Sequence, residues 1–194
     1  MKSFLLNNLY LVFFNPTEFP YFYEEYKSRS SEFLVSILVA ISVSLGSIYI
    51  NPPYNSFSEI LIFPLFIFHL FFVTIFPALL SYLIDYKLRE ENVSGELLKM
   101  KSYTRYSVGI MSFFLPISFI FTMIGLKGAL SFFIILFFLF TLFLIITSIG
   151  SSAIYKVKVS KSFSCIANSC ITIFLLPIFL FFFYLITLLG IVIK

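Results

Sequence analysis

Five stretches of this sequence contain no Asp, Glu, Lys or Arg and are long enough to cross a bilayer: residues 33–50, 60–84, 108–126, 129–154 and 163–193. A helical span needs about 20 predominantly apolar residues to cross a hydrocarbon core of about 30 Å. With 60% hydrophobic and 11% charged residues and a mean hydropathy of +1.05, a water-soluble fold could not bury the apolar surface. Outer-membrane barrel strands alternate apolar and polar residues, whereas residues 132–146 are continuously apolar apart from Thr141. Helices are then the remaining way to satisfy the backbone in lipid. The expected fold is an all-α integral membrane protein, a five-span transmembrane helix bundle over 33–194, preceded by an N-terminal amphipathic interfacial segment over 1–32. The unequal span lengths predict tilted helices or ends that project into the interface.

The basic residues orient the bundle, because cytoplasmic flanks are enriched in Lys and Arg. Of the 13, eleven fall on one side: Lys2, Lys27 and Arg29 before span one; Lys87, Arg89, Lys99, Lys101 and Arg105 between spans two and three; Lys156, Lys158 and Lys161 between spans four and five. Lys127 and Lys194 fall on the other. The N-terminus is therefore expected in the cytoplasm and the C-terminus outside. Tyr49, Tyr54, Tyr82, Tyr86, Tyr103, Tyr106 and Tyr155 flank the span ends, where amphipathic rings favour the headgroup level; Tyr184 alone lies within a span.

Residues 1–14 are not expected to be a cleaved signal, since Asn7 and Asn8 interrupt the apolar run and no small-residue cleavage site follows. An interfacial helix fits better. Phe19, Phe22, Tyr23 and Tyr26 then recur at helical spacing, opposite Glu24, Glu25 and Lys27, which predicts an amphipathic helix at the cytoplasmic surface. Its aromatic face would meet the membrane surface or a partner, or pack on the bundle. The outer loop 51–58 is too short for a domain, and Ser56 with Glu59 reads as a capping box. The inner connection 85–105 has mixed charge, a Val93-Ser94-Gly95 break, and Leu97, Leu98 and Met100 beyond it. It predicts a short amphipathic helix and the chief partner-binding surface. The sequon at Asn92 falls on the cytoplasmic side, where glycosylation would not reach it.

Chemistry is scarce. His69 is the only histidine and the only ionisable side chain well inside a span, so it is a functional candidate by position. Its same-face neighbours Leu65, Phe66, Phe72 and Val73 are apolar, so any partner must come from another helix. Asn168 and Thr172, one turn apart, are candidates for an interhelical hydrogen bond. Together His69, Asn168 and Thr172 form the candidate intramembrane polar site. Cys165 and Cys170 stand about 140° apart around a helix of about 3.6 residues per turn and read as small packing residues. Small residues Ser36, Ala40, Ser44 and Ser42, Gly46 recur at four-residue spacing, which permits close helix approach and predicts a central first span. Thr147, Ser148, Gly150, Ser151 and Ser152 end span four and read as a packing surface or the wall of a small polar cavity. Pro64, Pro77, Pro116 and Pro177 lie within spans, where kinks are tolerated. No residue pattern calls for a cofactor, a metal or nucleic acid.

This order of features resembles the Ypt-interacting protein (Yip) family of five-span membrane proteins over about residues 9–190. The likeness rests on Leu9-Tyr10-Leu11-Val12-Phe13-Phe14-Asn15-Pro16-Thr17-Glu18-Phe19 ahead of span one, similar to the apolar-x-Pro-x-x-aromatic pattern of prokaryotic members. Tyr103, Tyr106 and Pro116 are similar to the family's Tyr-then-Pro pattern, and Val159-Ser160-Lys161-Ser162-Phe163 to its polar approach to span five. The Asp-Leu-aromatic-Gly-Pro and Gly-Tyr-Ser signatures of the eukaryotic branch are absent, so the resemblance implies a prokaryotic-type relative in the cell membrane. It implies no catalytic residue. The expected function is a non-enzymatic multi-pass membrane protein that recruits or organises protein partners at the cytoplasmic face, another copy of itself being one partner such a surface could take. The alternative is a small permease or transporter subunit with a polar cavity near His69 and Asn168.

Overall fold

The computed structural model of the chain describes residues 4–26, 28–50, 58–90 and 93–192, with side chains described outside 58–61 and 176–192. Among the described residues eight α-helices follow one another: α1 (Phe4–Phe14), α2 (Phe19–Tyr26), α3 (Arg29–Ile50), α4 (Ser58–Glu90), α5 (Leu97–Ser107), α6 (Phe114–Met123), α7 (Ala129–Tyr155) and α8 (Val159–Val192), with a 3₁₀ segment, Val108–Phe113, joining α5 to α6. Among the described residues four stretches are long and apolar enough to cross a membrane: Arg29–Ile50, Ile62–Glu90, Leu97–Met123 and Ala129–Tyr155. The described apolar part of α8 is Val159–Leu175. The expected capping box of Ser56 and Glu59, the sequon at Asn92, Tyr54, the side chains of Pro177 and Tyr184, and Lys2, Lys27 and Lys194 lie outside the described residues.

Helix α3 lies at the centre, packed against α4, α6 and the 3₁₀ segment. Its small residues Ser36, Ala40, Ser42, Ser44, Gly46 and Ser47 are all buried, because short side chains let neighbouring backbones approach where lipid supplies no hydrophobic drive. Gly46 sits under the Phe114 ring, which a Cβ would strike.

Pro116 shapes the third span. A proline has no N–H, so the carbonyl four residues back loses its helical donor, and here the chain tightens into the 3₁₀ segment just before it. Ser42 of α3 fills the break. Its Oγ donates to the freed Ser112 carbonyl at 2.6 Å and accepts the Leu115 N–H at 2.9 Å. Between α4 and α5 the Thr104 hydroxyl lies 3.1 Å from the Pro77 carbonyl and 3.0 and 3.1 Å from those of Met100 and Lys101, with one proton to share among them.

At one end of the bundle, Gly125 and Gly128 take positive φ of 81° and 114° in the α6–α7 turn. The Gly128 N–H donates to the last carbonyl of α3, Ile50, at 2.6 Å. At the other end, Lys156 adopts φ 54° to close α7, and the Val157 N–H returns to the Ser152 carbonyl at 3.1 Å, so α8 starts two residues later. The Arg105–Glu32, Arg89–Asp85 and Tyr155–Asp85 contacts gather the start of α3, the last turn of α5 and the ends of α4 and α7 at this same basic end.

Three expectations change. The inner connection contracts: α4 continues to Glu90, and the short amphipathic helix is the beginning of the third spanning rod, with Met100, Tyr103 and Tyr106 wholly buried. The tyrosines divide. Tyr49, Tyr82 and Tyr86 are exposed as an interfacial belt requires, whereas Tyr103, Tyr106 and Tyr155 are in the core with their hydroxyls bonded inside the protein. Finally, α1 and α2 form a hairpin whose Leu11, Val12, Phe19 and Tyr23 belong to the bundle core.

Replacing Ser42 with Ala should lower stability by about 1 kcal/mol, the scale of an interhelical hydrogen bond in membranes, read as a lower midpoint in denaturant titration of the micellar protein. Gly150→Ala should cost more, about 1–3 kcal/mol from overpacking, because the added methyl would strike the buried Tyr103 ring.

Candidate functional site

His69 faces α3, where its Nδ1 lies 2.9 Å from the Ser44 Oγ. The partner comes from another span because the residues one turn away along α4 are apolar. Ser44 is available because the close packing of α3 calls for small side chains, and a serine supplies both small size and a polar atom. His69 also lies at the edge of a cavity of about 580 Å³ between α3, α4, the third rod, α7 and Phe174 of α8, within the usual range of ligand pockets of about 300–1,000 Å³. Nine of its 16 described lining residues are Phe, and His69 is the sole residue among them with a ring nitrogen or hydroxyl.

The expected polar cavity shared by His69 and Asn168 is not formed. Asn168 and Thr172 are exposed on the outer side of α8 and are absent from the cavity wall. Their contact runs within the helix, the Thr172 Oγ1 donating to the Asn168 backbone carbonyl at 2.8 Å. The physical reason is register: Ile166, Ser169 and Cys170 take the inward positions of α8, which turns Asn168 away. Cys165 and Cys170 form no disulfide. On α7, Thr147, Ser148 and Ser151 are buried, and Gly150 makes the notch that receives Tyr103; this end of the helix is a packing surface.

The aromatic stripe of α2 likewise points inward. Phe19 is fully buried with its ring edge-on to Tyr103 at 5.0 Å, Tyr23 is buried beside it, and Tyr26 packs against the same core. Phe22 remains partly open, stacked loosely with Tyr26 at 6.1 Å. The face left outside carries Tyr21, Phe22, Glu24 and Glu25. Sequence periodicity identified the apolar face correctly but could not say what would cover it.

The polar groups that the fold does bring together lie at the basic end. The buried Asp85 carboxylate accepts the Tyr155 hydroxyl at 2.7 Å, the Glu96 N–H at 3.1 Å and the Arg89 Nε at 2.8 Å, clamping the α4–α5 connection to the end of α7. Glu32, also buried, accepts from Arg105 at 2.6 Å. Asn8 is buried with three acceptors around its amide, the carbonyls of Phe4 and Tyr26 and the Tyr106 hydroxyl, at 2.9, 2.8 and 3.2 Å, so it ties α1 to α2 and α5. The sequence contained one signal for the Asp85 cluster, its spacing of four from Arg89 on a helix. The partners from α5 and α7 are separated from it by the chain's long-range topology. Asp85 thus holds three donors and Glu32 one. Among the described residues there is no group of three His, Cys, Asp or Glu side chains that could hold a metal.

Comparison with protein-family models, with curated proteins and with solved structures returns no match.

Asp85→Ala should destabilise the protein by about 3–5 kcal/mol, the cost of breaking a buried pair, whereas Tyr155→Phe removes one donor and should cost about 1–2 kcal/mol. A double-mutant cycle on unfolding free energies should find the two non-additive; simple additivity would show that Tyr155 draws nothing from the carboxylate.

Proposed function

We propose that the chain is a non-enzymatic, five-span membrane protein of the kind the Yip resemblance implies, organising protein partners on its N-terminal hairpin at the cytoplasmic face. One observation carries this reading. The α1–α2 hairpin is held to the bundle by Phe19, Tyr23 and Asn8, yet presents Tyr21, Phe22, Glu24 and Glu25 outward. A pre-positioned surface spares a partner the ordering cost of a mobile segment, and exposed aromatic side chains are common anchors of protein interfaces. Within the stretch 85–105, Met100, Ser102, Tyr103 and Thr104 turn into the core, so the hairpin is the better-supported partner surface. The fifth span in this reading is α8, a helix of 34 residues without a charge from Phe163 onward to Ile193. The excess of Lys and Arg at the end shared by α3, α4, α5 and α7 supports a cytoplasmic N-terminus. A permease for a polar solute has less support, because the cavity beside His69 is apolar and Asn168 is outside it.

Cross-linking with mass spectrometry in native membranes tests the role. Changing Tyr21 and Phe22 to Ser should remove specific partners without lowering the amount of folded protein, since neither side chain is buried. Phe19→Ala should remove the same partners by loosening the hairpin. If the wild-type chain cross-links to nothing beyond itself, the organising role is wrong. A reporter fused after Lys194 should be active only on the outer side of the membrane; cytoplasmic activity would refute the five-span topology.

A further inference from the structure

The cavity beside His69 is independent of the cytoplasmic role and has a chemistry of its own. Ser44 lies fifteen residues along α3 from Arg29, roughly 22 Å at a rise of about 1.5 Å per residue, which places the Ser44–His69 pair within a hydrocarbon core of about 30 Å. The mouth is lateral. Phe68, Phe133 and Phe137 line it and are 64%, 62% and 74% exposed, whereas Phe76 and Phe143 close the back and are buried in the core. A molecule would therefore arrive from the bilayer rather than from water.

The wall chemistry selects the class of occupant. Phenylalanine makes up nine of 16 lining residues but 29 of 194 in the whole chain, an enrichment that favours a planar ring, since aromatic faces and edges pack best on another ring. A flexible alkyl chain would need no such bias and would gain nothing from a histidine. Among the described lining residues His69 supplies the one polar point. With Nδ1 engaged by Ser44, no hydrogen bond of Nε2 is found among the described residues. The pair also works in both directions. When the Ser44 hydroxyl donates to Nδ1, the neutral ring carries its proton on Nε2 and donates to a carbonyl; when Nδ1–H donates to Ser44, Nε2 accepts from a hydroxyl.

We propose that this cavity is a binding site for a lipid-soluble quinone-type molecule, a planar ring bearing carbonyl or hydroxyl oxygens on an apolar tail, with His69 Nε2 hydrogen-bonded to a ring oxygen. The aromatic walls hold the ring and the lateral mouth leaves the tail in the bilayer. The tautomeric freedom of His69 lets one site accept both the carbonyl and the hydroxyl form of the ring. No electron transfer is required of the protein.

The single histidine makes the test direct. The full chain, labelled with ¹⁵N only in histidine and placed in phosphatidylcholine nanodiscs, is titrated with decylubiquinone, with decylbenzene as a ring and tail lacking the oxygens. Decylubiquinone should bind saturably and move the Nε2 resonance, with the two ring nitrogens drawn toward the values of the Nε2–H tautomer that donates to a carbonyl; decylbenzene should compete poorly. His69→Phe should weaken binding by about threefold to tenfold, the worth of one net hydrogen bond. Val43→Phe, which fills the cavity and keeps His69, should abolish saturable binding, so the test does not depend on His69→Phe folding. The proposal is overturned if the quinone partitions equally into protein-containing and empty nanodiscs. It is equally overturned if decylbenzene competes on level terms with Nε2 unmoved. Neither outcome bears on the cytoplasmic partners.

Discussion

Tyr103 stands where four helices meet, and the N-terminal hairpin depends on it. Its ring fits the notch at Gly150 on α7 and receives the edge of Phe19 from α2. Its hydroxyl donates to the Ile146 carbonyl at 2.9 Å, with the Val12 carbonyl of α1 at 3.5 Å. A residue of this size can be buried only where a small neighbour makes room and its hydroxyl finds an acceptor. Gly150 meets the first condition and a helix carbonyl the second. The hairpin is thus attached through the interior of the bundle, which explains how so short an N-terminal segment holds a defined position.

A second constraint is the need to satisfy backbone groups away from water. Pro116 opens the helical ladder in the third span, and Ser42 of the central helix closes it from the side. Two residues on, about 200° around the helix, Ser44 meets His69 of α4. The small residues of α3 therefore serve three purposes on its two sides: close packing, repair of a proline break and positioning of the lone intramembrane histidine. The polar contacts of the basic end complete the frame, with Asp85 joining α4 to the end of α7 and Glu32 joining α3 to α5 through Arg105.

Much of this was legible beforehand. The first four apolar stretches fall on the four helical stretches long and apolar enough to cross a membrane among the described residues, the four-residue spacing on α3 identified packing residues, and the apolar neighbours of His69 required a partner from another helix. The less legible features all depend on rotation or on distance in the chain. Asn168 has the composition of an intramembrane glue residue, but α8 is rotated so that Ser169 and Cys170 face inward. Tyr103, Tyr106 and Tyr155 sit near helix ends like interfacial residues, yet each is covered by elements remote in sequence. Asp85 reads as the first charge after a span, and its burial follows only when Tyr155 and Glu96 arrive.

By itself the sequence determined the class of the molecule, because hydrophobic length and the absence of charge act locally and leave helices in a membrane as the one economical solution. It also determined which side chains were apolar and which helix surfaces could pack closely. Only the tertiary structure decided that the aromatic face of α2 turns into the core, that His69 meets Ser44 at the edge of a phenylalanine-lined cavity, and that Asn168 stands apart from it. Those outcomes depend on helix rotation and on contacts between distant segments. In a chain this uniformly apolar, several rotations would bury similar amounts of surface, and steric fit and hydrogen bonding choose among them.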